Sequence, residues 1–347
     1  MTEQIRAIVR RVLATSCLVT VVNAAVLAQP GTPAAPGKLV DVGGWRLHMN
    51  CTGSASASPP VVFEAGGGDF SLDWALVQSA VSQFTQACSY DRAGAAWSEL
   101  GPRPRTMQQI EYELHTALRN AGVRGPYVLV GHSIGGLLVR EFATLYPRDV
   151  AGMVLVDPTT EESIFNTNGK LIRQRDLSNG RAIPAIRTSI GPEERSLLPD
   201  ESARLASFLA KQHAPEIEPP YNQLPDAVQR LRLWAMAQPA HYTADGGDYW
   251  PEEFQGFHDA RLRDPDPLGS IPLVVLVRGP RSGASAKEAD DDAKRIAEKA
   301  KLTELSTNSE LRAVAHSGHH IQLDAPAAVT AAITDVVEAA RGHRPLR

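Results

Sequence analysis

Gly125-Pro126-Tyr127-Val128-Leu129-Val130-Gly131-His132-Ser133-Ile134-Gly135-Gly136 is the stretch around which this chain is organised. A short apolar run meets Gly-x-Ser-x-Gly, and an amphipathic segment follows from Leu137 to Tyr146. The order reads as strand, sharp turn and helix, with a serine at the apex. A strand that becomes a helix within one residue leaves that serine in a strained backbone conformation, its hydroxyl exposed above the sheet. Bulky side chains at positions 131 and 135 would collide with the neighbouring strand and helix, which accounts for the two glycines. Ile134 opens the helix, so its backbone N–H is free to face whatever the serine attacks.

Working outward, 347 residues hold one large or two small domains, and a hydrophobic content of 43% is ample for a buried core. The net charge of −4 gives no basic excess of the kind that binds nucleic acid or an anionic membrane. At the N-terminus, Arg6, Arg10 and Arg11 precede an apolar run from Val12 to Leu27, and Val26-Leu27-Ala28 fits a small-residue cleavage site. Residues 1–28 are therefore expected to be a signal peptide, and the protein to be exported to a periplasm or secreted. A retained anchor is the competing reading, weakened because the run is short and broken by Thr15, Ser16, Thr20 and Asn23. No stable membrane insertion is expected after cleavage. Residues 29–37, rich in Pro, Gly and Ala, read as a disordered lead-in. Of three cysteines, Cys17 leaves with the signal. Cys51 and Cys88 remain as an even pair, either a disulfide or two buried thiols.

Lys38–Val42 and Trp45–Cys51 alternate around Gly43-Gly44 as a hairpin. Pro60–Ala65 is a buried strand that runs into Gly66-Gly67-Gly68-Asp69, where backbone N–H groups can approach an oxyanion closely. Trp74–Phe84 has helical spacing, and Thr85–Tyr90 is another strand, closing on Asp91-Arg92, which read as a structural polar pair. Thr106-x-x-Gln109 opens a helix as a capping box. Val150–Val156 is a buried strand closing on Asp157-Pro158. From about 159 to 265 strand signals vanish, prolines and charges increase, and helices are expected near Glu193–Lys211 and Pro225–Gln238. This insertion carries Trp234, Tyr242 and Trp250 among its large side chains, which are expected to serve partly as the core of a helical subdomain and partly as the inner face of a lid lining a pocket. Strand character returns at Ile271–Val277 and Leu311–Ala315, around a charged helix at Ala286–Lys301, and a helix at Pro326–Arg341 closes the chain. Alternating strands and helices imply a mostly parallel sheet covered on both faces.

Across residues 38–342 the chain resembles the α/β-hydrolase superfamily. The resemblance rests on Glu64–Gly68, Tyr90–Gly94, the Gly131–Gly136 elbow, Val154–Pro158, and Ser317-Gly318-His319 with Asp324 and Pro326 downstream. It implies an eight-stranded, mostly parallel sheet, with a core made of residues 38–158 and 266–347 and a helical cap or lid at 159–265. It also implies roles: Ser133 as nucleophile, His319 as base with His320 as its rival, and the N–H groups of Gly67 and Ile134 as the oxyanion hole. Ala65 stands where the family usually has histidine before the oxyanion glycine, a departure that leaves the backbone donors intact. The acid is the open position. No carboxylate directly follows Ile271–Val277, so Asp157, used in some branches of the superfamily, competes with Asp290, Asp291 and Asp292, which read as a solvated helix face. In the family's strand order the strands carrying Cys51 and Cys88 are neighbours, which favours a disulfide.

A serine in the elbow disfavours the branches that use aspartate. The direct expectation is a serine hydrolase cleaving a carboxylic ester or lactone of a bulky, mainly apolar molecule, without metal or organic cofactor, since no His/Cys cluster has zinc spacing. Substrate contacts are expected from Gly68, His132, Trp97, Trp234, Tyr242 and Trp250. Two other classes stay open: a cofactor-free perhydrolase or carbon–carbon hydrolase on the same residues, and a silent binding protein of this fold.

Overall fold

Alternation around two glycines in the left-handed region, Gly43 at φ +128° and Gly44 at φ +103°, makes the first hairpin, β1 (Lys38–Asp41) against β2 (Arg46–Thr52). The computed structural model describes residues 32–55, 58–167, 169–211, 215–281 and 283–346, and one unit runs from Ala35 onward. The expected signal peptide lies outside the described residues. In the expected lead-in, Pro36 is tied down: its carbonyl accepts from the buried ring of His48.

The remaining strands of the main sheet are β3 (Val61–Glu64), β4 (Ala87–Tyr90), β5 (Tyr127–His132), β6 (Val150–Val156), β9 (Leu273–Arg278) and β10 (Ser309–Val314). With β1 and β2 they form eight strands in the order β1-β2-β4-β3-β5-β6-β9-β10. Every pairing from β4 to β10 is parallel, and β2 joins β4 antiparallel. Period-two alternation divides the core between the two faces. Val62 and Leu129 point into one layer with Leu114, Leu118 and Phe142, whereas Val61, Phe63 and Val130 point into the other with Val77, Ile333 and Val336. The helices that supply these residues are α1 (Ala75–Val81), α2 (Met107–Asn120), α3 (Gly135–Leu145) and the C-terminal Pro326–Gly342. In α2 the Thr106 hydroxyl accepts from the Gln109 N–H, satisfying one of the helix's orphan donors.

Cys51 lies directly opposite Cys88 in the β2–β4 register, and the two are joined as a disulfide with Cα atoms 4.0 Å apart. Of the two cysteine readings, the disulfide holds.

The segment from 159 to 265 departs from the expectation that strands vanish there. It begins with a hairpin, β7 (Ile164–Thr167) against β8 (Lys170–Arg173). Asn168-Gly169 between them is a hairpin signal, with Gly169 at φ +79°. Among the described residues three α-helices follow: α4 (Pro199–Leu209), α5 (Asp226–Met236) and α6 (Trp250–Arg263). The first two fall where helical spacing placed them. In α6 a proline in the first turn and Gly256 in its interior blur the sequence signal.

Candidate active site

At the end of β5 the chain reverses through Ser133, whose φ of +52° lies in the left-handed region that a non-glycine residue occupies at a cost. The flanking glycines make the reversal possible. A Cβ on Gly131 would stand 2.3 Å from the Gly135 carbonyl oxygen, and one on Gly135 would stand 2.6 Å from the carbonyl oxygens of Ala65 and Glu64. Ser133 is half-buried at the carboxyl end of the sheet, and Ile134 caps α3.

Two loops bring partners to it. His319 follows β10, and its Nε2 lies 2.9 Å from Ser133 Oγ. Its Nδ1 lies 2.6 Å from Oδ2 of Asp157, which follows β6 with φ +39°. Asp157 is fully buried, whereas the His319 side chain keeps 36% of its exposure, so the hydrogen-bonded row opens toward solvent at the serine end. Burial draws the His319 imidazole below its usual pKa, against the pull of Asp157. Burial alone would raise Asp157, but His319 and Lys299 together hold it well below the usual carboxylate range. Lys299 Nζ is 2.6 Å from Asp157 Oδ1, and Arg278 and Arg295 approach at 3.8 and 3.9 Å. Sequence reasoning missed these cations, because only the packing of the helix Ala286–Ala300 against β9 aims Lys299 inward.

Of the rival carboxylates, Asp291 is exposed and the other two are engaged elsewhere. Asp290 pairs with Lys294. Asp292 is buried rather than solvated, and it pairs with Arg281 and Arg295. His320, the rival base, bonds to Tyr221 and faces Asp69.

The glycine loop after β3 is held by Arg92. Its guanidinium donates to the carbonyls of Ala65, at 2.9 Å, and of Gly66, and pairs with Glu64 at 2.6 Å. The Gly66 carbonyl and the Gly67 N–H belong to one planar trans peptide and point in opposite directions. Pinning the carbonyl on Arg92 therefore turns the Gly67 N–H outward. Among the described residues, neither Gly67 N–H nor Ile134 N–H has a hydrogen-bond acceptor, so both donors are available to a developing oxyanion. Gly68 N–H, in contrast, donates at 2.6 Å to Asp245, a carboxylate from the 159–265 segment that also binds Arg92. The expected Asp91–Arg92 polar pair does not form. Asp91 instead binds His48 at 2.7 Å, and Arg92 serves the glycine loop.

The aromatic candidates fall into two groups. Trp234 packs on Trp97 with ring centroids 5.1 Å apart, in a cluster with Phe70 and Ala95. Trp250 packs beside Phe254 in the cluster that contains Ile134 and Leu137. Tyr242 is more exposed, and its hydroxyl donates to the Met236 carbonyl. His132 is buried, with its ring 4.7 Å from that of His319. A cleft of about 1170 Å³ opens at the opposite, amino-terminal ends of the strands, beside Pro126, Val150 and Pro272, and holds none of these residues.

Residues 61–333 match the model of the alpha/beta hydrolase family. The chain belongs to that family. Protein YqjL of Bacillus subtilis is 36% identical over 103 residues, which is 30% of this chain and 41% of that one. The chain spans between 18% and 41% of the length of the first curated relatives it matches. Among solved structures, an esterase from Thermogutta terrifontis superposes with a TM-score of 0.54 at 19% identity, covering 88% of this chain and all of that one. The epoxide hydrolase CorEH superposes with a TM-score of 0.54 at 15% identity, covering 85% of this chain and 96% of that one. At these identities the likeness is one of fold.

Proposed function

We propose that this protein is a serine hydrolase that cleaves carboxylic esters or lactones of bulky, mainly apolar molecules through an acyl-enzyme on Ser133. The observation that carries the reading is the hydrogen-bonded row Ser133–His319–Asp157 beside two unpaired backbone donors, Gly67 and Ile134 N–H. Ser133 Oγ adds to the carbonyl carbon as His319 Nε2 takes its proton, and the carbonyl oxygen gathers negative charge against the two N–H groups. Collapse breaks the bond to the alkoxy oxygen, which leaves with the proton from His319. Water then repeats the addition, the acid departs, and Ser133 regains its hydrogen. Asp157 keeps the imidazole in the tautomer with Nε2 unprotonated and balances its transient positive charge.

The disulfide supports an oxidising compartment, in keeping with export. The 159–265 segment acts as the lid in this reading, because its Asp245 reaches the glycine loop and its Trp250 packs beside Ile134.

A chromogenic ester panel with matched lactones, run on the wild type and on Ser133→Ala, tests the proposal. Turnover should be lost in the variant, and an organophosphonate ester should label Ser133 alone. Labelling at another residue, or full activity in Ser133→Ala, would sink it. Absence of any turnover or labelling in the wild type would favour the binding-protein reading.

A further inference from the structure

Next to His319, but separate from the hydrogen-bonded row, three side chains of metal-ligand type converge: Asp69, His132 and His320. They come from the glycine loop, the serine elbow and the histidine loop, so no linear spacing announces them. Asp69 Oδ2 lies 3.3 Å from His132 Nδ1 and 3.4 Å from His320 Nε2, and all three atoms fall within 4.8 Å of one another.

The state of His132 is fixed by its far side. Its Nε2 lies 3.0 Å from the carbonyl oxygen of His319. A carbonyl only accepts, so that nitrogen carries the hydrogen, and without a second proton on the ring its Nδ1 lone pair faces Asp69. His132 is 1% exposed, and among the described residues this Nδ1 meets no hydrogen-bonding geometry. Two acceptors thus face each other in a buried place, an arrangement that needs a proton or a cation between them.

Distance discriminates between the two. Where an imidazole and a carboxylate share a proton in this protein, they close up: His48–Asp91 at 2.7 Å, His258–Glu162 at 2.7 Å and His319–Asp157 at 2.6 Å. The 3.3 and 3.4 Å separations at Asp69 are longer than all three. They match instead the edge of a tetrahedron around an ion with ligand bonds of about 2.0–2.1 Å, which is roughly 3.3–3.4 Å. Gly66 keeps the gap open, since a Cβ there would lie 2.7 Å from His132 Nδ1 and 2.8 Å from Asp69 Oδ2.

The surroundings are those of a ligand set. His132 donates its Nε2–H to a backbone carbonyl, and Asp69 Oδ1 accepts from the Tyr221 hydroxyl at 2.7 Å, so both side chains are oriented from behind. Arg232 stands 3.5 Å from Asp69 Oδ1, but its charge is paired with Asp73. His320, with its side chain 21% exposed, would have to give up its 2.8 Å contact with Tyr221 and its Nε2 hydrogen to close the third edge.

We propose that Asp69, His132 and His320 form a binding site for a divalent transition metal of the zinc class, with a fourth position open to water. An ion there ties together the three loops that carry Gly67, Ser133 and His319. It stands on this geometry alone and not on the proposed reaction.

The test is direct binding by untagged full-length protein, stripped with chelator and titrated with Co²⁺ and Zn²⁺. One Co²⁺ per chain should bind with the intense visible absorption of a tetrahedral site, and Zn²⁺ should displace it and raise the melting temperature. His320→Ala and the milder His320→Gln, both checked for folding by circular dichroism, should weaken binding by about 100-fold or more. Absence of stoichiometric Co²⁺ binding overturns the proposal. So does binding that survives both His320 variants, or binding lost in His319→Ala but kept in His320→Ala, which would put the ion on the serine–histidine row. None of these readouts is catalytic, so their failure leaves the hydrolase reading untouched.

Discussion

Asp157 is surrounded by more positive charge than orienting one imidazole requires. Besides His319, it holds Lys299 at 2.6 Å in a place where the lysine has little other solvation. Asp157→Asn therefore changes two things. It removes the partner that fixes the His319 tautomer, which should lower kcat by a factor on the order of 10³–10⁴. It also leaves Lys299 buried and uncompensated, which should cost roughly 3–5 kcal/mol of stability. Lys299→Met separates the two effects, because it takes away the stranded charge but leaves the His319 contact. Thermal melts and kcat of the two single variants and the double variant check this. The double variant should regain stability relative to Asp157→Asn while remaining slow. A double variant as unstable as Asp157→Asn would mean that Lys299 is not the stranded group.

At the scale of elements, the 159–265 segment is clamped to the sheet domain by a buried charge cluster at its base. Glu161 accepts from Arg140 of α3 at 2.8 Å and from Arg261 of α6 at 3.1 Å. Burial alone would raise the Glu161 pKa, but the two guanidiniums outweigh it and pull the carboxyl down to about 2. A carboxylate whose pKa is lower folded than unfolded adds stability that is complete above its unfolded value, near 4.5, and is lost as pH falls through about 2. The contribution at neutral pH is on the order of 3 kcal/mol. Glu161→Gln should lower stability at pH 7 and flatten the loss of stability between about pH 4.5 and 2. Urea melts at a series of pH values read both effects, and parallel pH profiles for variant and wild type would refute the assignment.

For the whole molecule, the lid reading makes a claim about selectivity. Trp250 packs in the cluster with Ile134, whose N–H is a candidate oxyanion donor, and Trp234 packs over Trp97. Trp250→Ala or Trp234→Ala should change the ratio of kcat/KM for a bulky ester against an acetate ester by about tenfold or more. Equal losses on both substrates would assign these rings to packing alone. The fold itself was legible in the chain because its signals are local. The alternation in β3 and β5, the glycines flanking Ser133, the Thr106 cap and the Ser317-Gly318-His319 turn each follow from steric or hydrogen-bonding demands within a few residues. Those demands also marked Ser133, whereas the roles of His319 and Asp157 and the favoured pairing of Cys51 with Cys88 came from the resemblance to the α/β-hydrolase superfamily. What the tertiary structure alone decided are contacts between segments far apart in the chain. Arg92 turns from a presumed partner of Asp91 into the clamp of the glycine loop, and Asp292 goes under arginines instead of into solvent. Lys299 joins Asp157, and Asp69, His132 and His320 meet beside the serine. The hairpin at Ile164–Arg173 is local and its Asn168-Gly169 turn was readable, but its short half-exposed strands have too little apolar alternation to stand out from their surroundings. Charged side chains carry little directional information in sequence, because a long flexible chain with a charge at its end can face water or a buried partner equally well. Only the packed backbone around it determines which.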